Sequence, residues 1–227
     1  MYPIECDQMY IDLSHEFVNG MPVPDWPGEH RQEFELDEYH VTVNSGQQNN
    51  MRMNIHCGTH IDAPYHYCKT APPVDKIPLE SLAGICKVVE IKKDALGAVT
   101  ADDVRKVTGD VKKGEMLFIR TSWEEVWGTK EYETSYPYFE LEAGKVITEL
   151  GVSVFGIDTP GPDAPIRSGH RKGDPLHLEI LCKNIPILEN LGNLKSVAGK
   201  KVFVYSFPMK IVGSSGSPVR VVATELR

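Results

Sequence analysis

A short segment between residues 56 and 67, HCGTHIDAPYHY, constrains this chain more than any other part of it. It places four metal-ligating side chains within eleven positions, at His56, His60, Asp62 and His66. Imidazole and carboxylate groups bind catalytic divalent metals, and a hydrolytic site leaves one coordination position open for water. The segment predicts a metal centre, unless the four side chains are only scattered polar groups of a loop.

The backbone of this segment must bend if its histidines share an ion. Gly58 and Pro64 disfavour a continuous helix. In a flat strand the Cα atoms of His56 and His60 would lie roughly 13 Å apart. That is too far for two metal–nitrogen bonds of about 2 Å. We therefore expect a bend at Gly58, whereas Pro64 keeps Ala63 extended.

These constraints assign roles to the polar side chains. His56, His60 and Asp62 are the predicted ligands of one ion, since all three can converge around the bend. His66 lies further on and is the predicted proton-transfer residue. Cys57 could supply a thiolate, but its position beside His56 favours packing away from the metal.

A second group of candidate residues lies in the C-terminal half. Asp158 ends the apolar strand VSVFGID, and strand ends often carry active-site groups. His177 and Glu189 follow within LHLEILCKNIPILENL. From periodicity alone, His177 is a surface residue of a helix and Glu189 a solvated charge. A functional role for either stays open at this point.

Composition excludes several classes of protein. The formal net charge is −8, and no run of Lys or Arg exceeds two residues, which argues against nucleic acid and anionic membrane partners. No long uncharged apolar run predicts a membrane span, and the N-terminal residues do not resemble a secretory signal. The five cysteines are odd in number and form no C-x-x-C. We therefore expect no disulfide scaffold and a cytoplasmic location.

The pattern of apolar residues predicts one α/β domain over residues 1–227, with a mixed sheet and flanking helices. EFELDEYHVTVNS alternates as a hairpin does, and residues 84–91 and 116–123 have the composition of buried strands. Thr100 is a predicted helix N-cap, and Gly151 a predicted helix end before the strand that closes at Asp158. Further elements are predicted in HLEILCKN, a helix, and in IPILENL, KVFVYSFPM and PVRVVATEL, strands.

Several segments resemble one known family. HCGTHIDAPYH is similar to the H-x-G-T-H-x-D-A-P-x-H signature of the cyclase-like metal-dependent hydrolases, which include kynurenine formamidase (arylformamidase) and isatin hydrolase. IDLSHEFVNGMPVPDWPG, FIRTSWEEVWG, FGIDTPGPD and GSPVRVVA resemble further family segments. The resemblance implies a barrel-like mixed-sheet core of the swivelling β/β/α type, and homodimers or homotetramers.

The resemblance also implies roles for single residues. It makes His56, His60 and Asp62 ligands of a first metal, and His66 the catalytic acid/base. A second metal would use Asp62 together with two later residues, for which His177 and Glu189 stand in the matching segment. It implies zinc or manganese, with one or two ions per chain.

We therefore expect a metal-dependent amidohydrolase that cleaves a C–N bond of a small aromatic or cyclic amide with metal-activated water. Trp26 and Trp123 are candidate walls of the substrate pocket, or equally core residues. The loops EEVWGTKEYETSYPYFE and TPGPDAP, with HRKGD, are also expected at the pocket. One alternative is a mononuclear iron oxygenase that uses His60, Asp62 and a distant histidine such as His177. Another is a non-catalytic metal-binding protein.

Overall fold

The computed structural model describes residues 9–23, 34–40 and 46–226. The strands within these ranges are β1 Tyr10–Asp12, β2 Glu35–His40, β3 Gln47–Arg52, β4 His60–Asp62, β5 Ala83–Glu90, β6 Ala98–Val99, β7 Met116–Arg120, β8 Tyr138–Phe139, β9 Phe155–Ile157, β10 Ile187–Glu189, β11 Lys201–Tyr205, β12 Gly216–Pro218 and β13 Val222–Glu225. The α-helices are α1 Ala101–Val107, α2 Glu131–Thr134, α3 Leu141–Glu149 and α4 Pro175–Leu181. Single 3₁₀ turns cover Pro64–His66, Val74–Lys76, Leu79–Ser81, Trp123–Val126 and Leu194–Ser196.

Nine of these strands form one mixed sheet, in the order β1-β13-β11-β5-β7-β9-β10-β4-β12. The central strands β5, β7, β9 and β10 are parallel, and the strands on both sides pair antiparallel. The expected α/β class with a mixed sheet is confirmed. The sheet is curled into a half-barrel with few helices. The strands β4 and β10, which carry predicted ligands, are neighbours near one edge.

The two faces of the sheet bury separate hydrophobic cores. Strand β7 is buried along its whole length, as central parallel strands are, and its side chains alternate between the two cores. Met116 and Phe118 point into one core, whereas Leu117 and Ile119 point into the other, toward the helices. Apolar residues of α1, α3 and α4 complete the second core. The helix α4 is thereby fixed against the sheet.

Local sequence signals account for the boundaries of several elements. The Thr100 side chain accepts a hydrogen bond from the Asp103 amide, and the Asp103 carboxylate accepts one from the Thr100 amide, which forms a capping box for α1. Gly151 has a φ of 66° just after α3, as a helix-ending glycine does. The strands β2 and β3 pair antiparallel. The predicted helix ends at Thr100 and Gly151 are confirmed. The alternation predicts a hairpin within residues 33–45, but β3 begins only at Gln47, beyond that segment, and residues 41–45 lie outside the described ranges.

One disulfide is present, although the cysteine count predicts no disulfide scaffold. Cys68 and Cys182 form a disulfide with their Cα atoms 5.5 Å apart, although 114 residues separate them in sequence. It joins the segment after the Pro64–His66 turn to the end of α4. A count of cysteines could not reveal this pair, because only the fold brings the two segments together. Among the described residues, no helix is long and apolar enough to cross a bilayer.

Candidate metal centre

The bend before β4 is built on Gly58. Its φ is 62°, a conformation that glycine adopts without strain. A Cβ atom at this position would lie 2.6 Å from the Phe17 ring, so both conformation and space require glycine. The bend brings the His56 and His60 rings to a centroid distance of 5.3 Å. Ala63 stays extended, with φ −77° and ψ 151°. The predicted backbone path is confirmed.

The register of the sheet places Glu189 beside β4. Glu189 of β10 pairs with His60, and Gly216 of β12 pairs with Asp62. Directly opposed residues share one face of a sheet, so Glu189 and His60 project to the same side. A Cβ atom on Gly216 would lie 2.8 Å from the His56 ring, and its absence makes room for this imidazole.

Asp62 lies at the centre of the cluster and is 1% exposed. Its Oδ1 is 2.6 Å from His56 Nδ1 and 3.3 Å from His60 Nε2. Its Oδ2 is 3.6 Å from His177 Nε2. Burial alone would raise the pKa of this carboxyl, but the adjacent His56 and His60 hold it well below its usual range. Asp62 therefore faces the cluster as an anion and contacts both groups of predicted ligands.

His177 and Glu189 meet at this cluster and are 7% and 4% exposed. His177 Nε2 is 3.2 Å from Glu189 Oε1, and His60 Nε2 is 3.3 Å from Glu189 Oε2. The readings of His177 as a surface residue and of Glu189 as a solvated charge are therefore wrong. Helical periodicity failed for His177 because the short helix α4 packs its first turn against the site, beside Asp163.

Hydrogen bonds fix which nitrogen of two imidazoles faces the cluster. His60 Nδ1 is 2.9 Å from the Gly58 carbonyl, and His177 Nδ1 is 2.6 Å from the Asp163 carboxylate. Both partners accept, so each Nδ1 carries a proton and each Nε2 faces the cluster, where it can bind a metal once its own proton is lost. Histidine ligands of metals are commonly oriented in this way.

The electrostatics of the site favour a cation. Burial opposes a charge on His60, but the adjacent Asp62 and Glu189 carboxylates outweigh it and raise the pKa of His60 to about 10. Burial is likewise outweighed at His177, where Asp163 and Glu189 raise the pKa to about 10. The carboxylates thus stabilise positive charge at both imidazoles. A divalent metal can take the place of these protons, because metal ligands bind in the deprotonated state.

The donors present fit such a metal. The buried His60 Nε2 has no hydrogen-bond partner, although it points between the Asp62 and Glu189 carboxylates. A buried polar atom without a partner in this position is explained if it binds an ion. Donor atoms of His60, Asp62 and Glu189 lie within 4.8 Å of one another, as do those of His56, Asp62 and His66. Mixed imidazole and carboxylate sets suit zinc and manganese.

His66 and the loops form a cavity of about 340 Å³ beside the cluster. The His66 ring is half-buried and stacks on His56 with a centroid distance of 4.1 Å. Burial lowers the pKa of His66 to about 4. Residues of the two expected loop regions line this cavity, among them Tyr136 from the first and Gly161 and Arg171 from the second.

The remaining predicted residues lie elsewhere. Trp123 is 6% exposed, donates from Nε1 to the Tyr132 carbonyl at 2.8 Å, and packs in a cluster with Tyr132 and Tyr136. Tyr136 lines the cavity, so Trp123 packs beside a cavity residue. Trp26 lies outside the described residues. Cys57 is fully buried and packs in a small hydrophobic cluster, as predicted.

Sequence reasoning missed two residues whose hydrogen bonds orient the predicted ligands. Asp163 binds His177, and Asn190 donates to the same Gly58 carbonyl that His60 contacts, at 2.8 Å. Asp163 stands in the polar turn TPGPDAP, where its carboxylate was a visible signal. Asn190 directly follows Glu189, but nothing in the sequence marks its contact with Gly58.

Comparison with known families agrees with this architecture. Residues 11–164 match the family model "Putative cyclase". The chain belongs to the cyclase family. The predicted resemblance is confirmed, and more than half of the chain is covered by this match.

Individual cyclase-family relatives match along nearly the full chain. Kynurenine formamidase of Salinibacter ruber is 29% identical over 216 residues, which cover 93% of this chain and 95% of the relative. Isatin hydrolase A of Ralstonia solanacearum superposes with a TM-score of 0.87 at 25% identity, covering 97% of this chain and 93% of that one. Isatin hydrolase A of Labrenzia aggregata, bound to benzyl benzoate, superposes with a TM-score of 0.87 at 26% identity, covering 97% and 94%. The chain is therefore a cyclase-family hydrolase related to these enzymes.

Proposed function

We propose that this chain is a divalent-metal-dependent amidohydrolase that cleaves the C–N bond of a small aromatic or cyclic amide. One observation carries the proposal: the Nε2 atoms of His60 and His177 converge on the carboxylates of Asp62 and Glu189. The Nδ1 atom of each imidazole is held by a hydrogen bond, to the Gly58 carbonyl and to Asp163. Relatives that share this fold include kynurenine formamidase and isatin hydrolase, whose names give the amide class of the substrate.

We assign His56, His60 and Asp62 to one ion, and Asp62, His177 and Glu189 to a second. The two Asp62 oxygens point to different histidines, which suits a carboxylate shared between two ions. A bound zinc or manganese ion supplies Lewis acidity and lowers the pKa of water toward about 7.

His66 takes the role of general acid/base in this proposal. It accepts the proton of the attacking water at a ring nitrogen and returns it to the leaving nitrogen of the amide. Its ring lines the cavity and stacks on His56, so it lies beside the predicted ligands. The cavity volume of about 340 Å³ is in the range of small-molecule sites. Tyr136 contributes to the wall of this cavity, and Trp123 packs behind it. We propose Trp26 as a further wall of the substrate pocket.

The decisive experiment is a hydrolysis screen with protein loaded with Zn²⁺ or Mn²⁺. The substrates are N-formylkynurenine, isatin, other cyclic amides and simple lactones. The expected result is metal-dependent turnover of at least one amide, lost on chelation and restored by the metal. The His66→Ala variant, which should retain its metal, controls for contaminating hydrolases. Turnover of lactones alone would overturn the assignment to amides.

The same preparation tests the alternatives. Substrate-dependent oxygen consumption by the Fe²⁺-loaded protein would show that the chain is an iron oxygenase and not a hydrolase. Tight metal binding without turnover of any substrate would favour a non-catalytic role. We also propose a homodimer or homotetramer, and light scattering after gel filtration tests the oligomeric state.

A further inference from the structure

The Tyr67 ring lies between two functional imidazoles. It stacks on His177 with a centroid distance of 4.8 Å and an interplanar angle of 24°. Its other contact is edge-on to His66, at 4.7 Å and 88°. His66 in turn stacks on His56. The four rings form a continuous series that leads from one group of predicted ligands through the acid/base to the other.

The segment that carries Tyr67 is attached to residues at both ends of α4. Its backbone amide donates to the Pro64 carbonyl and closes the 3₁₀ turn that carries His66. Burial and the nearby Asp174 carboxylate, on the residue before α4, raise the pKa of the Tyr67 hydroxyl. The next residue, Cys68, is joined by the disulfide to Cys182 at the C-terminal end of the same helix. The Tyr67 ring is therefore held along the helix that supplies His177.

We propose that Tyr67 is a positioning residue that sets the angles of the His66 and His177 rings. The hydrogen bond from His177 Nδ1 to Asp163 fixes one point of that ring but leaves rotation about the bond direction, which a stacked face restricts. The His66 ring is held by aromatic contacts with His56 and Tyr67. Stacked and edge-on arrangements are the favoured geometries of ring pairs. This inference rests on the proposed function and adds to it a coupling between metal binding and proton transfer.

Two substitutions separate the ring of Tyr67 from its hydroxyl. Tyr67→Phe keeps both ring contacts and removes the hydroxyl near Asp174. Tyr67→Met keeps an apolar side chain of similar length and removes the ring. Tyr65→Met is the matched control, because Tyr65 lies in the same turn and is 39% exposed. The probe is Zn²⁺ alone, titrated into metal-free protein against a chromophoric chelator, followed by kcat and KM on a substrate found in the screen.

We expect Tyr67→Phe and Tyr65→Met to bind zinc and turn over substrate within about threefold of the unchanged protein. Tyr67→Met should bind the zinc equivalent at His177 about 10–100-fold more weakly. Its kcat should fall by a similar factor, about 10–100-fold, whereas KM changes by less than about threefold. Wild-type zinc affinity and kcat in Tyr67→Met would overturn the proposal. Equal losses in Tyr67→Phe would overturn it too, since the hydroxyl would then be the active part.

A measurement on the unchanged protein covers the case in which Tyr67→Met does not fold. With ¹⁵N-histidine labelling and Zn²⁺, nuclear Overhauser contacts should connect the Tyr67 ring protons to both His66 and His177. Absence of either contact in folded, zinc-bound protein would overturn the proposal. If the unchanged protein binds no Zn²⁺, the proposed function itself fails. If it binds zinc and hydrolyses amides while Tyr67→Met is unaltered, only the role of Tyr67 fails.

Discussion

We predict that Asp163→Asn weakens metal binding, although Asp163 is not a proposed ligand, because Asp163 orients the proposed ligand His177. Asp163 is 2% exposed and accepts from His177 Nδ1 at 2.6 Å. It also accepts from the backbone amides of Leu176 at 3.0 Å and His177 at 3.2 Å. Asparagine keeps the size of the side chain but replaces one acceptor oxygen with an amide donor. One of the three donors must then face another donor.

The size of the effect follows from these contacts. Loss of the negative charge makes the His177 imidazole a weaker ligand, and loss of one acceptor loosens its orientation. Changes of this kind typically reduce metal affinity by about 10–100-fold, or about 1.4–2.7 kcal/mol. The free energy of unfolding should also fall, by about 1–3 kcal/mol, because a buried donor loses its partner. Only the affinity of the metal equivalent at His177 should fall, because Asp163→Asn removes no hydrogen bond of His60.

Competition titration with Zn²⁺ resolves the two equivalents, and urea unfolding measures stability. The control is Asp102→Asn, the same substitution at a side chain that is 81% exposed on α1, where both quantities should be unchanged. Folded Asp163→Asn protein with both zinc affinities within twofold of the parent would refute the orienting role. An equal weakening of both equivalents would show that the substitution acts through general loosening of the site.

Four further predictions concern the site and its crosslink. Asp62→Asn should remove both metal equivalents, measured as metal per chain after dialysis, because this carboxylate faces both ligand groups. Glu189→Gln should lose at most one equivalent in the same assay, and wild-type metal content with wild-type activity would show that Glu189 is not a ligand. His66→Ala should keep its metal while kcat falls about 10²–10⁴-fold, so a loss of activity only in step with metal would contradict its role. Cys68→Ser combined with Cys182→Ser should lower the free energy of unfolding by about 2–5 kcal/mol in urea titrations, because the disulfide closes a long loop; a denaturation midpoint equal to that of the parent protein would contradict this.

Much of the fold follows from local sequence signals. The apolar run at 116–123 predicts a buried strand, and Met116–Arg120 forms one, because a central parallel strand faces a core on each side. Thr100 and Gly151 mark helix ends because each satisfies a specific local need, a free amide or a left-handed backbone. The order of strands is a different matter. The neighbours β4 and β10 are far apart in sequence, and neither three-residue strand has a pattern that selects its partner.

The first group of proposed ligands, His56, His60 and Asp62, could be predicted for a geometric reason. The second group, His177 and Glu189, could not. His56, His60 and Asp62 lie within seven positions, so bond lengths and the limits of the backbone already require a bend at Gly58. His177 and Glu189 become neighbours of these residues only through the pairing of β10 with β4 and the docking of α4. From the residues alone they had the features of surface groups, and only the family resemblance indicated otherwise.

The residues proposed to hold the metal and those proposed to contact the substrate lie on different kinds of element. His60, Asp62 and Glu189 belong to paired strands, and a shift of one residue in register would turn their side chains to the other face. Tyr136 and Arg171 lie in connecting segments, outside the α-helices and the main sheet. Loops tolerate changes in length and composition that paired strands do not. It follows that substitutions at Tyr136 or Arg171 should alter which amide is bound, and those at His60 or Glu189 should alter whether any is cleaved.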